Sequence, residues 1–130
     1  MIQKFNEFFQ FESQKMEDSK LELEHLASNH LLDLIDLGFE TIIEPLNGAE
    51  DSLFIKVSKS GWFLRFGCKD QLLENCLFPL LEILKAKYPV TFYFTESNIS
   101  SRLEDCDLDF VLSGEADFTM YEIYIRCKIL

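Results

Sequence analysis

The chain has 130 residues, 48% of them hydrophobic, and its 23 Asp and Glu outnumber 12 Lys and Arg to leave a net charge of -11 at pH 7. That length suits one α+β-sized domain with one core, residues 1–130, and so much apolar material excludes a disordered chain. The charge repels nucleic-acid phosphate and anionic membrane and attracts basic partners, so neither direct nucleic-acid binding nor membrane binding is expected.

Ile2, Phe5, Phe9 and Met16 fall near heptad spacing and predict a first helix over residues 2–17. The same segment has no uninterrupted apolar region with a small-residue cleavage site, so a cytoplasmic protein is expected. Ser19 with Glu22 fits a capping box for a second helix, whose apolar face runs through Leu23, Leu26, Ala27, His30, Leu31, Leu34 and Ile35 to a C-terminal cap at Gly38. Ser28 and Asn29 are weak helix formers and predict a kink or a restart inside it.

After Gly38 the apolar period changes to two. Phe39 to Glu44, Leu53 to Ser58 and Trp62 to Phe66 read as three strands, with a loop over 45–51 and a Lys59-Ser60-Gly61 turn, which predicts an antiparallel β-meander. Asp70 is the expected cap of a central helix carrying Leu72, Leu73, Cys76, Leu77, Leu80, Leu81 and Leu84. Pro79 within it predicts a bend or the start of its second half, and Tyr88-Pro89 closes it. Val90 to Thr95 is β-rich, whereas Glu96 to Asp107 reads as loop, or as one short helix near residues 100–104. A C-terminal β-hairpin is expected from Leu108 to Ser113, a turn over 114–117 and a last strand from Phe118 to Ile129. In that strand Tyr121, Ile123, Ile125, Cys127 and Ile129 form the core face, with Met120, Glu122, Tyr124, Arg126 and Lys128 opposite. The fold class is therefore α+β, helices packed on a mostly antiparallel sheet. Its core is expected to include Leu31, Leu34, Ile55, Leu77, Leu81, Phe92, Ile123 and Ile125.

The acid is unevenly placed. Residues 1–51 hold 12 acids and 3 bases, 52–95 hold 3 and 6, and 96–122 hold 8 and 1. Its densest run gives Glu104, Asp105, Asp107 and Asp109, followed by Glu115 and Asp117, and these six are the candidate partner-binding residues. A calcium loop beginning at Asp105 needs glycine at position 6 and glutamate at position 12, where this chain has Phe110 and Ala116. The two histidines, His25 and His30, are five apart and so lie on different sides of a helix, which excludes local zinc ligation. Cys68, Cys76, Cys106 and Cys127 show no C-x-x-C pairing and read as reduced, mostly buried thiols. The five glycines are isolated caps and turns, so no phosphate cradle is present, and no G-x-S-x-G elbow occurs. No cofactor and no metal is expected, and the chain reads as a non-enzyme. Phe54, Trp62 and Tyr124 are expected either to fill a small cluster under the N-terminal helix or to add apolar surface beside the acid.

In size, acidity and lack of catalytic motif the chain resembles bacterial immunity proteins. That likeness implies an acidic inhibitor that neutralises a basic partner, such as a nuclease toxin domain, by presenting carboxylates where the partner would hold phosphates. An alternative rests on element order: helix, three strands, helix, then strands over Leu31 to Thr95 is similar to small type III secretion chaperones, which implies an acidic homodimer holding unfolded cargo. This chain has the strand Phe118 to Ile129 where that family has a closing helix. A third reading, a small enzyme, has only unpaired carboxylates and thiols to draw on.

Overall fold

A computed structural model describes residues 2–46, 48–60, 63–67, 72–96, 103–117 and 119–129, without the side chains of residues 2–13 and Leu72. The expected roles of Trp62, Gly61, Cys68, Asp70 and Phe118, the side chains of Ile2, Phe5 and Phe9, and most of the proposed short helix near 100–104 lie outside the described residues.

The first element is one helix, α1 (Ile2–Asp36), where two were expected. Neither the capping-box pair nor Ser28 interrupts it. The Ser28 hydroxyl donates back to the His25 carbonyl at 3.0 Å, satisfying itself within the turn rather than breaking the ladder. The end is as read: Gly38 takes φ +94°, its N–H donates to the Ile35 carbonyl at 2.9 Å, and the Phe39 N–H donates to the Leu34 carbonyl at 3.0 Å. This is a Schellman cap, in which only glycine takes the left-handed position without strain. Leu23, Ala27 and Leu34 are buried along the helix, with Met16, Leu26 and Leu31 packed beside them, while Ile35 turns out to solvent.

Strands β1 (Glu40–Glu44) and β2 (Ser52–Ser58) form an antiparallel hairpin, with Ile43 opposite Ile55. The next strand, β3 (Leu64–Arg65), does not continue a meander. It pairs with the distant β6 (Thr119–Met120) in a separate two-stranded ribbon. Helix α2 (Leu72–Lys87) runs through Pro79, which sits on its exposed side, and buries Leu73, Leu77, Leu80, Leu81 and Leu84. Two further strands follow, β4 (Val90–Thr95) and β5 (Glu104–Cys106), paired antiparallel with Tyr93 opposite Asp105.

The segment expected as a strand over 108–113 is a short helix, α3 (Leu108–Leu112). Asp107 is its N-cap, accepting the Asp109 N–H, and Val111 is buried with Leu108 and Leu112 beside it. Apolar contacts at i, i+3 and i+4 are a helical face, and Phe110, the middle member of the apparent strand alternation, is the one left exposed. The last strand is interrupted at Tyr121, dividing β6 from β7 (Glu122–Lys128). The Tyr121 N–H donates to the Thr95 carbonyl at 2.7 Å and the Glu122 N–H to Thr95 Oγ1 at 3.1 Å. The chain turns there, so Met120, expected on the outer face, is fully buried and Tyr121 is half-buried.

The main sheet has the order β1-β2-β7-β4-β5 with every pairing antiparallel. Ile55, Ile125 and Phe92 lie in one cross-strand row on the face that joins the helices in a single core. Each fully buried Leu or Ile there stabilises the fold by about 1.5–3 kcal/mol relative to exposure. Of the eight expected core residues seven are fully buried and Leu31 is half-buried against them. The fold class is α+β, as the sequence predicts, with helices packed on a mostly antiparallel sheet. No described helix is long and apolar enough to cross a membrane.

Candidate functional site

The six candidate carboxylates follow one another along β5, α3 and the turn beyond it, but they do not share one face. Register sets Glu104 opposite Phe94, on the helix-bearing side of the sheet, and Asp105 opposite Tyr93, on the open side. Asp107 is committed to capping α3. Asp109 holds Lys85 of α2 at 3.0 Å, and this contact pushes the lysine above its usual range. Asp117 lies 3.7 Å from Arg65 of β3. Asp105 and Glu115 make no ion pair among the described residues. The structure thus divides the six: Glu104 and Asp105 lie on opposite faces of β5, Asp107 and Asp109 are engaged at α3, and Asp117 lies by Arg65 of β3.

Acid at this place also has a structural consequence. β5 is an edge strand of only three residues, and a charged, short edge resists pairing with another chain.

Beside the acidic turn lies a cavity of about 220 Å³ bounded by Gly67, Glu74, Asn75, Phe78, Leu112 and Gly114. Glu74 sits in the first turn of α2 and is only 8% exposed. Its Oε1 accepts the Gly67 N–H at 2.8 Å, while its buried Oε2 has no hydrogen-bond partner among the described residues. A buried polar oxygen left unmatched costs about 1–3 kcal/mol, more when it carries charge, so the position is maintained against a penalty. Gly67 takes φ +79°, and a Cβ there would stand 2.9 Å from the Asp117 carboxyl carbon, which brings that second acid close to the cavity. Sequence reasoning missed Glu74. The signal was present as a single acid inside the apolar run Leu72-Leu73-Glu74-Asn75-Cys76-Leu77, a charge that lies on the buried phase of the helix.

The open face of the sheet carries a different set of groups. Phe54 is 3% exposed yet stands outside the main core cluster, with its ring 6.4 Å from that of Tyr93. It is therefore not part of an exposed apolar patch, one of the two places expected for it. Lys56 bonds Glu122 at 2.8 Å, which raises the lysine's pKa, and burial followed by the nearby Glu122 raises that of Tyr124. Arg126 lies in the same layer, held above its usual value first by Tyr93 and then by Asp51. Lys56 and Arg126 are thus each matched locally by a carboxylate, Glu122 and Asp51.

The described thiols are not poised to react. Burial pushes Cys127 up to about 12 and raises Cys76 and Cys106, the latter two further disfavoured as thiolates by Asp33 and Asp107. Among the described residues no group of three His, Cys, Asp or Glu is placed to hold a metal ion. No family model matches the chain, and neither a curated protein nor a solved structure matches it.

Proposed function

We propose that this protein is an acidic, protein-binding inhibitor of the immunity type, which neutralises a basic partner such as a nuclease toxin domain in the cytoplasm. The observation that carries the reading is the exposed acid concentrated along the β5–α3 edge, on a chain of net charge -11. A nuclease cleft is cationic because it must hold phosphates. Carboxylates there meet such a cleft with complementary charge, speed encounter and set register. The binding set is Glu104, Asp105, Asp107, Asp109, Glu115 and Asp117, with Asp109 and Asp117 exchanging Lys85 and Arg65 for partner cations.

The test is kinetic. The partner is captured from the native cell, and its association rate is measured at two salt concentrations for wild type and for Asp105→Asn, Asp107→Asn, Asp109→Asn combined. Asparagine caps helices as well as aspartate does, so α3 survives the change. The variant is expected to associate more slowly and with a shallower salt dependence. Equal rates and slopes overturn the reading. A secretion-chaperone role is the alternative: cargo would then add to a sheet edge, and Ile42, 52% exposed on edge strand β1, would matter more than the acids.

A further inference from the structure

We propose that strand β1 accepts an extended segment of the partner as a sixth, antiparallel strand of the sheet, one that sets Lys or Arg opposite Glu40 and Glu44 and a β-branched residue opposite Ile42. The proposal rests on the reading of a basic protein partner given above, and adds a second contact at the border of the sheet opposite β5.

The two borders of the sheet are built differently. β5 has three residues, whereas β1 has five, in unbroken register with β2 from Glu40 opposite Ser58 to Glu44 opposite Phe54, and contains no Pro, Lys or Arg. Among the described residues no backbone hydrogen bond reaches β1 from outside β2, so one row of its N–H and C=O groups is open to another chain. Thr41, Ile42 and Ile43 are β-branched and favour the extended form. Ile43 turns into the core at 9% exposed, while Ile42, on the open face, is 52% exposed. At an edge of this kind main-chain bonds supply affinity and alternate side chains supply selection.

Charge selects the occupant. Glu40, Ile42 and Glu44 share one face, and neither glutamate makes an ion pair among the described residues. The nearest lysines are engaged elsewhere: Lys56 of β2 holds Glu122 at 2.8 Å, and Lys59 just after it lies over the Phe39 ring. A second copy of this chain is disfavoured. Antiparallel self-pairing centred on Ile42 would set Glu40 of each copy directly opposite Glu44 of the other, and like charges so placed destabilise a ladder. A strand with cations at those two positions and valine or isoleucine between them turns both repulsions into attractions and covers Ile42. Four strand spacings, roughly 19 Å, separate β1 from β5, a span that an extended tail of a domain seated on the β5–α3 edge can cross.

The probe is the peptide acetyl-Thr-Lys-Thr-Val-Thr-Lys-Thr-amide, titrated to millimolar concentration into the ¹⁵N-labelled full chain, with peptides carrying Gln or Glu in place of both Lys as comparisons. Saturable shifts and slowed amide exchange centred on residues 40–44 are expected with the Lys peptide, with affinity about three- to tenfold lower for the Gln peptide and no saturation with the Glu peptide. Glu40→Gln combined with Glu44→Gln should erase the preference for Lys over Gln, and Ile42→Lys should weaken the Lys peptide about tenfold or more. The peptide comparison needs only the wild-type chain, so it decides the matter even where a variant does not fold. Absence of saturable shifts with the Lys peptide overturns the proposal. Equal affinity for the Lys and Gln peptides does so too, because an apolar cargo strand needs no cations, and so does self-association through residues 40–44 without peptide. None of these readouts involves Asp105, Asp107 or Asp109, so failure at β1 is distinguishable from failure of the docking edge, which the salt-dependent association rate reports.

Discussion

Arg126 reaches Asp51 across the open face: its Nη2 lies 3.0 Å from Asp51 Oδ1, while its Nε donates to Ser52 Oγ at 2.8 Å and the Ser52 hydroxyl donates to the same carboxylate at 3.0 Å. The serine bond and then the arginine hold Asp51 below its ordinary value of 3.8. Because the folded carboxyl is the stronger acid, its stabilising effect is complete above pH 3.8 and is lost as pH falls through the lower folded value. Asp51→Asn should therefore lower the unfolding midpoint at neutral pH, and the gap to wild type should close as pH falls through the lowered folded value. Urea titrations of both proteins across that range check it. A gap that stays constant into acid would show that packing, not ionisation, is what Asp51 contributes.

Thr95 is 1% exposed and its hydroxyl oxygen is the acceptor for the Glu122 N–H where the chain turns into β7. Valine has the same shape without the acceptor. Thr95→Val should cost about 1 kcal/mol by leaving a part-buried amide unmatched, and Thr95→Ser much less. Chemical denaturation of the pair measures the difference, and equal losses would locate the effect in packing instead.

Leu81 is fully buried at the centre of the α2 face. Truncation to alanine removes transfer energy and leaves a cavity, together about 2–5 kcal/mol. The melting temperature should fall by roughly 10 °C for a protein of this size. A calorimetric scan that shows no shift would contradict the assigned packing.

Asp107 caps α3 through the Asp109 N–H at 3.2 Å. Asp107→Ala should destabilise by about 1 kcal/mol while Asp107→Asn stays close to wild type. Thermal unfolding of the two variants separates capping from charge. If the asparagine variant is as damaged as the alanine one, charge rather than the cap is what the site supplies.

The long periodic elements were legible from residues alone. α2 and the faces of β2, β4 and β7 follow their apolar periods, because each buries a whole face and any phase error would expose it. The short pieces were not. Leu108, Phe110 and Leu112 alternate like a strand, and only contact with the core reveals that Leu108, Val111 and Leu112 are the buried set. β5 consists of Glu104, Asp105 and Cys106, residues with no strand preference of their own, held by pairing to β4. The cavity at Glu74 was hidden for a related reason. Its walls come from residues 67, 74, 75, 78, 112, 114 and 116, and nothing in the sequence says that the turn after α3 returns to the start of α2. The acids were visible as a run, but their division between cap, ion pairs and the two sheet faces depends on tertiary placement.

The position of β7 governs the order in which this sheet can be made. β7 lies between β2 and β4 and is the sole described link between the β1–β2 hairpin and the β4–β5 pair. During synthesis those two units emerge before the strand that joins them, and each must wait with an unsatisfied edge. Their joining closes loops of several tens of residues, a slow kind of pairing in folding. Removal of residues 122–128 would accordingly abolish the sheet rather than trim its border, and the chain becomes foldable only once its late strand has been translated.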